Sequence, residues 1–172
     1  DSNTAIGYNA LTVHTTGNSN TVIGYGAMDD TDAGSTSLGS GDNVFIGEIA
    51  GGGTWANAAS NANVGIGNNV MDAAMNGALN NTAVGHAALG ALTTGDNNVA
   101  LGAGAGGALT SGVNNVIIGI SAGDATIDTN YHVLIGGGAG GNGDIANDGA
   151  VAVGYLALHS LINGARNTAV GY

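Results

Sequence analysis

Aliphatic residues in this chain come in short runs, and each run closes on a glycine. The pattern is N-[TV]-x-[IVL]-G, then two free positions, then usually alanine. It starts at Asn3, Asn20, Asn43, Asn63, Asn81, Asn98, Asn115, His132, Ala150 and Asn167. Successive starts lie 17, 23, 20, 18, 17, 17, 17, 18 and 17 residues apart. A period this regular marks a repeat array, in which each unit buries its apolar face only by stacking on its neighbours.

With each start as position 1, position 2 is always Thr or Val. Position 4 is always aliphatic: Ile6, Ile23, Ile46, Ile66, Val84, Leu101, Ile118, Ile135, Val153 and Val170. Position 5 is always glycine: Gly7, Gly24, Gly47, Gly67, Gly85, Gly102, Gly119, Gly136, Gly154 and Gly171. The β-branched run before the glycine predicts a strand of about four residues per repeat. Glycine there implies a sharp turn or a close backbone approach. The predicted fold is all-β: a parallel β-solenoid of about ten rungs with a period of about 17 residues, spanning 1–172 as one array.

Side chains alternate across a strand, so positions 2 and 4 share one face and position 3 takes the other. Both faces are largely apolar, which implies cover on both. The uniform position 4 is the expected core. Position 3, with Val22, Phe45, Ile117 and Leu134, is the expected contact between chains of an oligomer. Alanine at position 8 suits a narrow interior. Asparagine at eight of the ten starts would bond along the stack, where equal positions lie about 4.8 Å apart.

Longer repeats place insertions at about 29–42 and 51–62. Inserted loops in an array sit on its surface and often carry binding. Trp55, the only tryptophan, falls in the second and is the expected ligand contact. Asp29, Asp30 and Asp32 in the first could offer oxygen ligands to Ca²⁺. No other cofactor is expected.

Composition narrows the function. The formal net charge is −11, with Arg166 the one basic residue and no Lys. Phosphate binding needs cations to displace counterions, so nucleic acid is excluded as a partner. No apolar run is long enough for a membrane-spanning helix. Cysteine is absent, so there is no thiol chemistry. The glycine-rich run Gly102–Gly107 has no Lys after it and reads as repeat phase, not a phosphate loop. Gly140-Gly141-Asn142-Gly143-Asp144 approaches a calcium β-roll repeat but is not iterated. The four histidines, His14, His86, His132 and His159, occupy different repeat positions and form no row. An enzyme is not expected. Thr15-Thr16, Thr93-Thr94 and Thr110-Ser111 look like broken rows of an ice-binding array, a minor alternative.

The runs V-I-I-G-I-S-A-G-D-A-T at Val116–Thr126 and N-V-A-L-G-A-G-A at Asn98–Ala105 resemble head repeats of trimeric autotransporter adhesins. N-T-A-I-G-Y-N-A-L at Asn3–Leu11 and N-T-A-V-G-Y at Asn167–Tyr172 look equally like repeats of phage tail-fibre proteins. The resemblance implies a β-roll or β-helix, a homotrimeric fibre, an extracellular place on a virion or cell surface, and a role in attachment. The expected function is therefore a structural or adhesive fibre segment. A tip module reading a glycan or protein receptor through the inserted loops is the alternative. The chain opens just before one repeat and ends within another, as a piece of a longer fibre protein would.

Overall fold

Each short aliphatic run becomes a strand. A computed structural model of the chain describes residues 2–14, 16–31, 39–55, 58–142 and 148–172. It contains ten three-residue strands: β1 (Thr4–Ile6), β2 (Thr21–Ile23), β3 (Val44–Ile46), β4 (Val64–Ile66), β5 (Thr82–Val84), β6 (Val99–Leu101), β7 (Val116–Ile118), β8 (Val133–Ile135), β9 (Val151–Val153) and β10 (Thr168–Val170). They form one parallel sheet in the order β1 to β10. Register is strict: position 2 pairs with 2, 3 with 3 and 4 with 4 at every step, as in Val99↔Val116, Ala100↔Ile117 and Leu101↔Ile118. The insertions do not shift it, since Thr21 still meets Val44 across the 23-residue repeat. The chain is thus a parallel β-solenoid of nine to ten rungs. Among the described residues, no helix is long and apolar enough to cross a membrane.

The position-5 glycines end the strands because no other residue fits. Their φ angles run from 132° to 145°, outside the range L-residues adopt. At Gly102 (φ +134°) an added Cβ would also lie 2.6 Å from the Gly119 carbonyl oxygen in the next rung. The turn that follows is wound from alternating hands. In all nine complete turns, positions 7 and 9 have φ between 44° and 67°. Glycine holds some of these sites, but Ile49, Ala87, Leu89, Met28 and Leu156 hold others. The residue before each start is left-handed too, from Ser19 to Arg166.

The core lies on the face opposite to the one expected. Position 3 is buried in every strand from β2 to β9, including Val22, Phe45, Ile117 and Leu134. These four therefore fill the inside of the coil and do not form a contact between chains. Position 4 is outside it: Ile6, Ile66, Leu101 and Val170 are exposed, and Ile23, Ile46, Val84, Ile118, Ile135 and Val153 are half-buried. The reason is volume. The interior is narrow and already lined by the position-8 alanines, such as Ala88, Ala105 and Ala122. Position 3 varies to fit it and position 4 does not need to. The largest position-3 residues share their rung with glycine at position 9, Phe45 with Gly51, Ile117 with Gly123 and Leu134 with Gly140, whereas Val22 shares its rung with Met28. Three small ones share their rung with a large residue, Gly65 with Met71, Ala83 with Leu89 and Ala152 with Leu158, while Ala100 shares its rung with Gly106. A Cβ on Gly51 would lie 3.0 Å from Phe45 Cδ1 of its own rung, and one on Gly123 3.4 Å from Ile117 Cγ2 of its own rung and 2.9 Å from Leu134 Cδ1 of the next.

Asparagine locks the rungs together, as the repeat implied. The Oδ1 of Asn81 accepts both the backbone N–H of Asn98 (2.9 Å) and its Nδ2–H (3.0 Å). The same Nδ2 of Asn98 donates to the Gly112 carbonyl at 2.8 Å. This three-bond unit recurs from Asn3 to Asn115, with every asparagine from Asn20 on buried. At the eighth rung His132 takes the place: its N–H donates to Asn115 Oδ1, and its Nδ1 accepts from the Ala150 N–H. Ala150 has no side-chain acceptor, so the ladder stops there. A second, intermittent ladder runs the other way. Side chains of Asn61, Asp96, Asn130 and Asp148 accept N–H bonds from Gly41, Leu79, Val113 and Asn130 of the preceding rung.

Candidate functional surface

Turning position 3 inward leaves positions 2 and 4 facing out. The outward face of the sheet is then two parallel rows on rigid strands. One is aliphatic throughout, and the other holds only Thr and Val. None of these residues is buried, and the position-4 row reaches 47% exposure at Leu101 in the middle of the sheet. Position 6, just past the turn, extends the strip at both ends. Tyr8 stacks on Tyr25 with ring centroids 5.5 Å apart, and Tyr155 packs on Tyr172 at 5.6 Å. Ile120 is an exposed apolar residue on the same row.

Charge avoids this strip. Of the 12 acidic residues, Glu48 is the only one within positions 1 to 9 of any rung; the other 11 fall from position 10 onward or just before a start. The coil thus has an apolar side, whose one acid is Glu48 in the position-6 row, and an acidic side. On the acidic side, Asp128 accepts from the hydroxyls of Thr110 (2.6 Å) and Ser111 (2.7 Å), which hold its carboxyl below the ordinary value. Asp72 goes the other way: partial burial raises its carboxyl, against a bond to its own backbone N–H and the charge of nearby His86. The hydroxyl of Thr93 is used within the coil, donating to the Thr110 carbonyl of the following rung.

Of the sites expected in the insertions, Trp55 is placed otherwise, and the acidic set lies only partly within the described residues. Trp55 is 1% exposed, edge-on to Phe45 with centroids 5.8 Å apart. It fills the widened third rung instead of offering a ring to a ligand. An inserted loop is expected at the surface, but a large apolar side chain next to a narrow core is drawn in. Asp30 Oδ2 accepts from the Thr54 hydroxyl. Asp32 lies outside the described residues, as do parts of both insertions. Among the described residues no group of three or more His, Asp or Glu could hold a metal ion.

Sequence reasoning missed the outward strip, although the signal was present in the placement of acids by repeat position. The tyrosine pairs pack along the stack. No protein family, curated protein or solved structure matches the chain.

Proposed function

We propose that this chain is a structural, adhesive fibre segment: a stiff shaft or head in an extracellular filament of a virion or cell surface, and not an enzyme. The observation that carries the reading is the unbroken ladder. Asparagines in seven successive rungs, Asn3 to Asn115, bond rung to rung, and the six from Asn20 on are buried, over a sheet in strict register. Such a coil has stability that adds along its length as nearest-neighbour terms, and it spans about 43 Å for ten strands. Its repeats resemble those of fibre proteins, which implies a homo-oligomer of three chains. A receptor- or glycan-binding tip is the other reading, but Trp55 is not available to it.

Small-angle scattering and electron microscopy test the shaft. An elongated particle at least about 43 Å long, rigid in solution, is expected. A compact particle would sink the reading. Glycan-array and cell-binding assays on the same sample separate shaft from tip: specific binding would assign the tip.

A further inference from the structure

The exposed strip has a chemistry that names its occupant. We infer that the outward face of positions 2 and 4 is where copies of this chain pack side by side along the rod. The inference rests on the fibre reading above and supplies the contact by which the filament is assembled.

Three observations point to a second copy. The first is polarity. Contiguous exposed apolar surface on a soluble protein marks a site of association. Here the strip runs the length of the sheet, and the acids are kept off it. A chain carrying −11 meets least repulsion from another copy through the side with the fewest acids, and this side holds one, Glu48, beside the strip.

The second is periodicity. Side chains such as Leu101, Ile118 and Ile135 repeat at the strand spacing, about 4.8 Å, along a straight row. A surface meets such a row with uniform packing only if it carries the same spacing. A copy of this chain does so at every rung; an ordinary globular surface does not.

The third is area. The strip is about 43 Å long and, for three-residue strands, roughly 10 Å wide, near 430 Å² per chain, about half of the 800 Å² per partner of a standard stable interface. Burial of that order supports lasting association where each chain touches two others around an axis.

The test is the mass in solution. The wild type is expected at a whole multiple of 16.4 kDa. Leu101→Glu combined with Ile118→Glu is expected to fall to 16.4 kDa with an unchanged circular dichroism spectrum. Thr94→Glu, exposed on the acidic side, is expected to keep the wild-type mass. A crosslink serves if the double variant does not fold. The chain has no cysteine, so Leu101→Cys can form a disulfide only between copies, and Thr94→Cys is the control. A disulfide-linked product at position 101 alone supports the face. Equal crosslinking at both, or none at 101, overturns it. A wild type of 16.4 kDa at all concentrations, or a folded double variant that stays assembled, also overturns it. A wild-type monomer that is still an elongated rod would refute this face and leave the fibre reading standing.

Discussion

The ring of Phe45 lies so close over Gly65 of the next rung that a Cβ added there would sit 2.5 Å from Cε1. Gly65 has no unusual φ, so the glycine is required by space alone. Gly65→Ala is expected to cost about 1–3 kcal/mol by overpacking. Phe45→Val should cost on its own by leaving a cavity, yet relieve much of the Gly65→Ala penalty. Denaturant unfolding of the two single variants and the pair measures the coupling. Strict additivity would mean that the two residues do not compete for one volume.

Gly102 is required for both reasons, a φ of +134° and a blocking carbonyl. Gly102→Val is expected to cost about 3 kcal/mol or more, because backbone strain and overlap act together. A melting temperature within error of wild type would show that the turn can be made another way.

Ala87 stands at a left-handed site (φ 53°) where Gly26, Gly104 and Gly138 stand in other rungs. The left-handed conformation costs an alanine about 1–2 kcal/mol, and glycine's extra freedom when unfolded offsets about half of that. Ala87→Gly is therefore expected to stabilise by about 0.5–1 kcal/mol, an unusual sign for a glycine substitution. Thermal melts resolve it, and any loss of stability would contradict the strain assigned to position 7.

The asparagine ladder can be cut or extended. Asn98→Leu removes the acceptor for two bonds from Asn115 and the donor to Gly112. Buried groups left unmatched cost about 1–3 kcal/mol each, so a loss above 3 kcal/mol is expected. Ala150→Asn places an acceptor where the ladder stops, in a row whose other buried slots hold asparagine or, in the rung before, His132. It is expected to add about 0.5–1.5 kcal/mol and to slow amide exchange in the last rung. Unchanged exchange at Asn167 would mean that the ladder does not propagate.

Two carboxylates give opposite dependences on pH. Asp128 is lowered on folding, so its contribution is present above the unfolded value of 3.8 and is lost as pH falls through the folded one. Asp72 is raised, so the folded state gains on protonation, and its cost is felt at neutral pH. Asp72→Asn is expected to raise the melting temperature slightly at pH 7 and to have little effect well below pH 3.8. Asp128→Asn should flatten the acid side of the profile. Melting temperatures from pH 2 to 8 test both, and an Asp72→Asn variant less stable at neutral pH would reverse the sign assigned to burial.

Much of this was legible in the residues. The period, the strands at positions 2 to 4, the glycine turns, the alanine row and the asparagine ladder all follow from side chains whose role is the same in every rung. The choice of face did not, because alternation places positions 2 and 4 against position 3 without saying which side is in. Size covariation would have decided it. Phe45 with Gly51 and Ala83 with Leu89 trade volume across one interior, whereas position 4 trades with nothing. The left-handed sites were hidden, since Leu89, Met28 and Ile49 carry no preference for that conformation. Their burial or stacking overrides the local cost. Trp55 was misplaced for a related reason: its glycine neighbours described the backbone, and its own bulk decided where it went.

Every strand lies across the long axis and is bonded only to the strands just before and after it in sequence. Tension applied between the two ends would therefore load the rungs in series. The terminal rung carries the same force as the middle ones and has the fewest bonds, so the coil would peel from an end, one repeat at a time, without sharing the load. With about 17 residues released per step and roughly 3.4 Å of reach per residue, each event would lengthen the tether by about 50 Å. A single chain of this kind would be a yielding strap under pull and a stiff strut under compression.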